Sequence, residues 1–146
     1  MDKIKIDGIL LTPLKIIPHP QGDIFHMMKK SDAGFCGFGE AYFTTVKFGE
    51  IKAWRKHSRM TLNLAVPAGE VKFVMFDDRK GSKTKGSFFE VILSPLNYKR
   101  LTIPPGIWTG FKGLSDGLNL VLDVADLEHD PSETERADIG KFAYGW

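Results

Sequence analysis

The stretch Ile103-Pro-Pro-Gly-Ile-Trp-Thr-Gly-Phe111 places a Pro-Pro-Gly turn between two apolar runs. Proline fixes its own φ angle and glycine tolerates a positive one, so these residues predict a tight turn between two β-strands. The candidate strands on either side span residues 100–103 and 108–114. Because turn chemistry fixes the register of the strands it joins, this stretch also determines which side chains share a face.

Outward from this turn, the chain repeats the pattern of short β-branched and aromatic runs separated by Gly, Pro, Asn or Asp. Further candidate strands span residues 9–17, 24–28, 37–46, 51–57, 60–66, 70–76, 87–93 and 118–125. Helical periodicity is hard to find, and no internal repeat or linker interrupts the pattern. We therefore predict one all-β domain over residues 1–146, a length sufficient to bury a sizeable core.

Acidic and basic residues are mixed along the chain, and the net charge is only +2. This balance gives no electrostatic reason to expect a nucleic acid or an anionic membrane as a partner. The single cysteine, Cys36, excludes an internal disulfide and favours a reducing compartment. No apolar run is long enough for a membrane span and residues 1–7 lack the features of a signal peptide, so we expect a cytoplasmic protein.

Three motifs follow one another in a fixed order. Residues 77–86 read D-x-R-x-x-S-x-T-x-G, residues 93–97 read L-S-x-x-N, and residues 103–111 read I-P-P-G-x-x-x-G-F. Each motif alone is weak, but their order and spacing resemble those of the sugar-nucleotide cupins typified by dTDP-4-dehydrorhamnose 3,5-epimerase. The resemblance covers about residues 20–130. It implies a double-stranded β-helix (a cupin jelly-roll barrel), usually a homodimer, with a pocket for a nucleotide sugar.

The resemblance also implies a reaction next to a ketone. A base removes a C–H proton alpha to the C4 carbonyl, a cation stabilises the enolate oxygen, and an acid returns a proton to the opposite face. Such a site needs a histidine, a lysine or similar electrophile, and often a tyrosine. It needs no metal and no other cofactor.

The chain departs from the family pattern at four functional positions. Lys52 takes the place of the phosphate-reading arginine, and Arg55 stands where the general-base histidine is expected. Leu62 falls at the position of the enolate-stabilising lysine, and Thr109 replaces the histidine of the H-G-F element. No tyrosine is present near His129, where the acid is expected. A guanidinium stays protonated, so Arg55 cannot abstract a proton.

His57 offers an alternative base. Residues two apart on a strand share a face, so His57 points into the pocket if Arg55 does. Related 3,4-ketoisomerases carry a W-H-x-H run here, of which this chain keeps the second histidine. We assign His57 as base, Arg55 as oxyanion or phosphate partner, and Lys52 with Arg59 as diphosphate contacts. A solvent-facing strand end for His57 and a simple salt bridge for Arg55 remain open.

Other residues are candidate substrate contacts: Tyr42, Asn63, Trp108, Thr109 and His129. Core packing is the competing interpretation for Trp108, and a surface position is the competing interpretation for His129. The cupin metal signature requires an H-x-H pair, which the four histidines do not form, so we expect no bound metal.

Two functions from different classes fit this sequence. The first is a nucleotide-sugar epimerase or isomerase in cell-surface polysaccharide biosynthesis, such as O-antigen synthesis, acting on a dTDP-4-keto-6-deoxy sugar as a homodimer. The second is a cupin that binds a nucleotide sugar without turnover. An isomerase of an unrelated small molecule is a weaker third possibility, because a fold does not determine a function.

Overall fold

Twelve short strands form the fold of residues 3–146, which are the residues that the computed structural model describes. Met1 and Asp2, the first residues of the predicted domain, lie outside this range. The strands are β1 Leu10–Pro13, β2 Ile16–Ile17, β3 Ile24–Phe25, β4 Glu40–Thr45, β5 Ile51–His57, β6 Leu62–Ala68, β7 Val71–Asp77, β8 Phe88–Leu93, β9 Lys99–Ile103, β10 Ile107–Gly113, β11 Leu120–Ala125 and β12 Thr134–Arg136. Two short 3₁₀ helices span Pro131–Glu133 and Ile139–Lys141.

Two five-stranded antiparallel sheets form the body of the fold. The first sheet has the order β1-β9-β6-β11-β4, and the second has the order β12-β5-β10-β7-β8. Strands β2 and β3 pair as a separate two-stranded ribbon. Each candidate strand overlaps an observed one, so the all-β prediction is confirmed. Strand β12 was not predicted. No helix of the described residues has the length and apolar character needed to cross a membrane.

The main hydrophobic core lies between the two sheets. The first sheet contributes Leu64, Val66, Leu101 and Val121, and the second contributes Phe73, Met75, Phe89 and Val91. Strand β8 alternates buried and exposed residues as expected for an edge strand with one face on a core. Strand β7 departs from this alternation, because Val74, which points away from the main core, is also fully buried.

The C-terminal segment explains the burial of Val74. Residues 139–146 lie across the outer face of the second sheet, where their aromatic rings join Trp54 and Trp108. The Phe142 ring lies 5.3 Å from the Trp54 ring and 5.6 Å from the Trp108 ring, measured between centroids. The Trp54 indole N–H also donates to the Ile139 carbonyl at 3.2 Å. The second sheet is therefore covered on both faces, which is why the run of residues 73–76 in β7 is continuously apolar.

Replacement of Phe142 by alanine is expected to lower the free energy of unfolding by about 2 kcal/mol, because it removes a partly buried ring and its contacts with Trp54 and Trp108. Denaturant unfolding measures this difference. Phe43→Ala is the matched control, since Phe43 lies on β4 with 65% of its surface exposed. An equal loss in the two variants would contradict docking of the C-terminal segment.

The Pro-Pro-Gly turn joins β9 to β10 and reaches the end of β5. Gly106 has a φ angle of +87°, a conformation that favours glycine. Its amide donates to the carbonyl oxygen of His57 at 2.7 Å. The turn that connects one pair of strands thus also fixes the backbone of His57 on a third strand.

Candidate functional site

A cavity of about 510 Å³ lies between the two sheets. The first sheet lines it with Tyr42, Thr44, Leu62, Leu64, Val121 and Asp123. The second sheet and the segment after it contribute Lys52, Ala53, Trp54, Arg55, His57, Phe73, Thr109, Phe111, Arg136 and Ala137. Eight of these sixteen residues are apolar and eight are polar or charged, so the cavity offers both an apolar surface and groups that can orient a small molecule.

His57 is paired with a buried carboxylate. Its Nδ1 atom is hydrogen-bonded to Oε1 of Glu133, and the two side chains are only 11% and 1% exposed. A carboxylate only accepts hydrogen bonds, so the ring donates from Nδ1 and its Nε2 atom is left to accept a proton. The solvent-facing interpretation of His57 is therefore wrong. The residue lines the cavity, and its hydrogen bond to Glu133 fixes Nδ1 as the donor atom of the ring.

Glu133 is held in place by the backbone. Its Oε2 atom accepts hydrogen bonds from the amides of Arg59 and Met60 at 3.0 and 3.1 Å. The Thr134 hydroxyl donates to Oε1 at 3.1 Å. Burial raises the pKa of Glu133, but the hydrogen bonds from His57 and these amides outweigh it, so the net pKa lies below its ordinary value. Glu133 therefore stays ionised at neutral pH and holds the His57 ring in one orientation.

Three cations line the outer part of the cavity. Lys52, Arg55 and Arg136 all contact the cavity and are also exposed to solvent, which places them at its mouth. Strand pairing sets Arg136 directly opposite Arg55. Within residues 3–146, none of the three has a carboxylate within ion-pair distance. Two like charges facing each other across a strand pair repel. The mouth of the cavity is therefore suited to an anion.

A buried carboxyl lies on the opposite wall. Asp123, on β11, is only 4% exposed, and its Oδ2 atom accepts a hydrogen bond of 2.8 Å from the Tyr42 hydroxyl. Burial raises the pKa of Asp123 to about 6, although the Tyr42 hydrogen bond and the charge of Arg55 lower it. Burial and the charge of Asp123 raise the pKa of Tyr42 above its ordinary value, so the phenol keeps its proton.

Five of the predicted site residues meet in the cavity: Tyr42, Lys52, Arg55, His57 and Thr109. Arg55 and His57 both line the cavity from β5, as expected for residues two apart on a strand. The simple salt-bridge interpretation of Arg55 finds no partner among the described residues. Thr109 lies opposite Arg55 on β10, and its buried hydroxyl forms no hydrogen bond within residues 3–146.

Four predicted site residues lie elsewhere. Trp108 points to the outer face, where its indole N–H donates to Asp78 at 2.8 Å, because Thr109 occupies the inner face. Asn63 also points outward and donates to the Gly34 carbonyl at 2.9 Å. Arg59 has a side chain 60% exposed and paired with a carboxylate outside the cavity, and His129 is exposed. These four assignments as cavity contacts are therefore corrected.

Sequence reasoning missed three residues that line or support the cavity: Asp123, Glu133 and Arg136. The segment that contains Glu133 is polar, so nothing in its composition predicted a buried carboxylate. Residues Thr134–Arg136 form a strand that pairs with β5, but three consecutive polar residues carry no local signal of a strand. Among residues 3–146, no group of three or more His, Cys, Asp or Glu residues is placed to hold a metal ion.

Comparisons with known proteins agree with this architecture. The family model described as dTDP-4-dehydrorhamnose 3,5-epimerase matches residues 53–139. The crystal structure of a dTDP sugar isomerase from Desulfovibrio desulfuricans G20 superposes with a TM-score of 0.91 at 38% identity, covering 94% of this chain and 88% of that one. The predicted cupin jelly roll is thereby confirmed.

Two curated proteins are more distant relatives. The probable low-salt glycan biosynthesis epimerase Agl13 of Haloferax volcanii is 26% identical over 100 residues, which cover 68% of this chain and 64% of that protein. The spore coat polysaccharide biosynthesis protein SpsL of Bacillus subtilis is 24% identical over 134 residues, or 92% of this chain and 89% of that protein. The match to the Haloferax protein thus spans less than two thirds of its length.

Proposed function

The chain belongs to the dTDP-4-dehydrorhamnose 3,5-epimerase family, and on that premise we propose that it is a nucleotide-sugar epimerase or isomerase. Its substrate is a dTDP-4-keto-6-deoxy sugar, bound in the cavity between the sheets. The observation that supports this proposal is the His57–Glu133 pair, in which a buried carboxylate orients an imidazole that lines the cavity through its Nδ1 atom.

The reaction begins with removal of a proton beside the C4 ketone. The Nε2 atom of His57 takes the proton, and the electron pair of the C–H bond forms an enolate whose charge lies on the C4 oxygen. Arg55 stabilises this oxygen, because its guanidinium lies on the same strand face as His57 and carries no competing ion pair in the described chain. Arg55 therefore replaces the electrophile whose usual position is occupied by Leu62.

The substrate's diphosphate lies at the mouth of the cavity. Lys52 and Arg136 supply positive charge there, while the interior near Leu64 and Val121 is apolar. A ligand with an anionic part near solvent and an uncharged ring inside fits this division. Arginine binds phosphate oxygens through a planar fork, so Arg136 is the stronger contact.

A binding protein without turnover is the second candidate. It is favoured by Leu62, an apolar residue that lines the cavity at the position where the family resemblance places a lysine. Under this alternative, Arg55 and Arg136 hold the diphosphate and no proton is transferred.

For the cellular role, we propose a step in cell-surface glycan synthesis. The names of the two curated relatives refer to glycan and polysaccharide biosynthesis. We further propose that the protein acts in the cytoplasm as a homodimer, as the family resemblance suggests. Size measurement in solution by light scattering tests the dimer.

Solvent exchange separates the two candidate functions. The protein is incubated in D₂O with dTDP-4-keto-6-deoxyglucose, and NMR follows the sugar protons beside the ketone. Deuterium incorporation is expected for the enzyme. Saturable binding by calorimetry without exchange indicates the binding protein, and absence of both rejects the two functions together.

Arg136→Ala is expected to weaken binding of dTDP about tenfold, or about 1.4 kcal/mol, because one charge-assisted contact to the diphosphate is lost. Calorimetry at low salt measures the dissociation constant. Arg59→Ala is the matched control and is expected to bind dTDP like the unmodified protein, since that side chain points away from the cavity. Equal weakening in both variants would show that the contact is assigned to the wrong arginine.

A further inference from the structure

Groups that can transfer protons lie on opposite walls of the cavity. His57 is on β5 in the second sheet, and Asp123 is on β11 in the first sheet. The two sheets pack face to face, so a flat ring bound between them presents one face to each wall. Inversion of a carbon centre requires a proton to leave one face and another to arrive at the opposite face. The placement of these two residues matches that requirement.

Asp123 has one oxygen free for a ligand. Its Oδ2 atom accepts the Tyr42 hydroxyl, while its Oδ1 atom is buried and forms no hydrogen bond within residues 3–146. Buried carboxylate oxygens are normally partnered, and an exception in a cavity wall marks a group available to a bound molecule. The Tyr42 hydroxyl fixes the carboxyl, which leaves Oδ1 for the substrate.

The surroundings of Asp123 favour a carboxyl that gains and loses a proton. From β4 it faces the neutral Tyr42 hydroxyl and the acid Glu40, and from the second sheet it faces Arg55. Strand β6, on its other side, sets Leu64 opposite it and offers no titratable group there. Burial and Glu40 favour the protonated form, whereas the Tyr42 hydrogen bond and Arg55 favour the ionised form.

We propose that Asp123 is the second proton-transfer residue, which returns a proton to the sugar face opposite His57. This inference rests on the proposed function. Asp123 would then be the general acid of the reaction. The family resemblance leads us to expect a tyrosine in that role near His129, and no tyrosine is present there.

His57 Nε2 takes the proton from the carbon beside the C4 ketone, and the enolate forms. The enolate carbon then takes the proton of the Asp123 carboxyl, so a new C–H bond forms on the other face and the C4 carbonyl is restored. The products are an imidazolium at His57 and a carboxylate at Asp123, and solvent returns each to its starting form. The reverse reaction uses the same residues with the roles exchanged.

Asp123→Asn separates inversion from exchange. In D₂O, this variant is expected to keep deuterium exchange at the carbon beside the ketone within about tenfold, because His57 still removes and returns a proton on its own face. Inversion of that carbon, followed by NMR of the product sugar, is expected to fall about 100-fold or more. The asparagine oxygen still accepts the Tyr42 hydroxyl, so the fold is retained, and thermal unfolding verifies this.

The controls distinguish the possible failures. Asp116→Asn makes the same change at an exposed position before β11 and is expected to leave exchange and inversion unaltered. Parallel loss of exchange and inversion in Asp123→Asn would indicate a structural role and overturn the proposal, as would undiminished inversion. No exchange by the unmodified protein would instead reject the proposed function itself.

The pH dependence gives a second readout that a structural role would not alter. Because burial raises the pKa of Asp123 to about 6, its protonated fraction falls as the pH rises above that value. Inversion by the unmodified protein is therefore expected to decline about tenfold per pH unit on the alkaline side. Asp123→Asn is expected to lack this decline, and a decline that persists unaltered would contradict the proposal.

Discussion

Replacement of His57 by asparagine is expected to lower the rate of solvent-deuterium exchange about 1,000-fold, which corresponds to about 4 kcal/mol of transition-state stabilisation. Asparagine still donates a hydrogen bond to Glu133, so the buried carboxylate keeps a partner. Its amide nitrogen cannot accept a proton, because the lone pair is delocalised into the carbonyl group. The measurement is the initial rate of exchange at saturating dTDP-4-keto-6-deoxyglucose, with dTDP affinity as a check on the binding site.

The matched control for this prediction is His129→Asn. His129 is exposed and does not contact the cavity, so this variant is expected to exchange at the rate of the unmodified protein. A normal exchange rate in His57→Asn together with a low exchange rate in His129→Asn would show that His129, and not His57, is the base. Retained dTDP binding in His57→Asn is essential, because it shows that the lost rate reflects proton transfer.

Replacement of Asp77 by asparagine is expected to lower the free energy of unfolding by about 3 kcal/mol, since it breaks a buried ion pair and leaves its partners unsatisfied. Asp77 is fully buried at the end of β7. Its Oδ1 atom accepts from Arg79 Nε at 2.9 Å, and its Oδ2 atom accepts from the Ser82 and Thr84 hydroxyls at 2.6 and 2.7 Å. The D-x-R-x-x-S-x-T turn is thus organised around one carboxylate.

This stabilisation should depend on pH in a defined direction. Burial raises the pKa of Asp77, but the hydrogen bonds from Arg79, Ser82 and Thr84 lower it far more, so the folded-state pKa lies well below that of the unfolded chain. The contribution is therefore complete above the unfolded pKa of about 3.9 and is lost as the pH falls below it.

Denaturant unfolding at pH 7 and at pH 3.5 tests both statements. The difference between Asp77→Asn and the unmodified protein is expected to shrink at the lower pH. Asp78→Asn is the control, since Asp78 is partly exposed, its ion pair with Lys56 is 3.6 Å long, and an asparagine oxygen still accepts the Trp108 indole N–H. Its cost is expected to stay below about 1 kcal/mol. A similar loss in both variants would argue against the special role of Asp77.

The turns and strands were predictable because their signals are local. Proline and glycine fix turn conformations over a few residues, and strand periodicity is visible within each run. The alternation of side chains along a strand could also have corrected two assignments. Trp108 and Thr109 are consecutive on β10, so they cannot both face the cavity. Asn63 lies between Leu62 and Leu64, which line the cavity, and is excluded from it for the same reason.

The supporting residues of the site were not predictable because their partners are distant in sequence. Glu133 meets His57 across 76 residues, and Tyr42 meets Asp123 across 81. Nothing in the composition of either segment identifies the other. In the sequence alone, a buried acid on a β-strand is indistinguishable from an ordinary polar residue on a solvated face.

The late position of β12 has a consequence for synthesis of the protein in the cell. The strands that build the main core, through β11, emerge from the ribosome before Glu133 and Arg136. Until β12 pairs with β5, His57 has no carboxylate partner. Until residues 139–146 dock, Trp54 and Trp108 lie uncovered on the outer face. A nascent chain at this stage therefore combines an incomplete site with an exposed aromatic surface of the kind that chaperones bind. Pairing of β12 completes the site, and docking of residues 139–146 covers the aromatic surface.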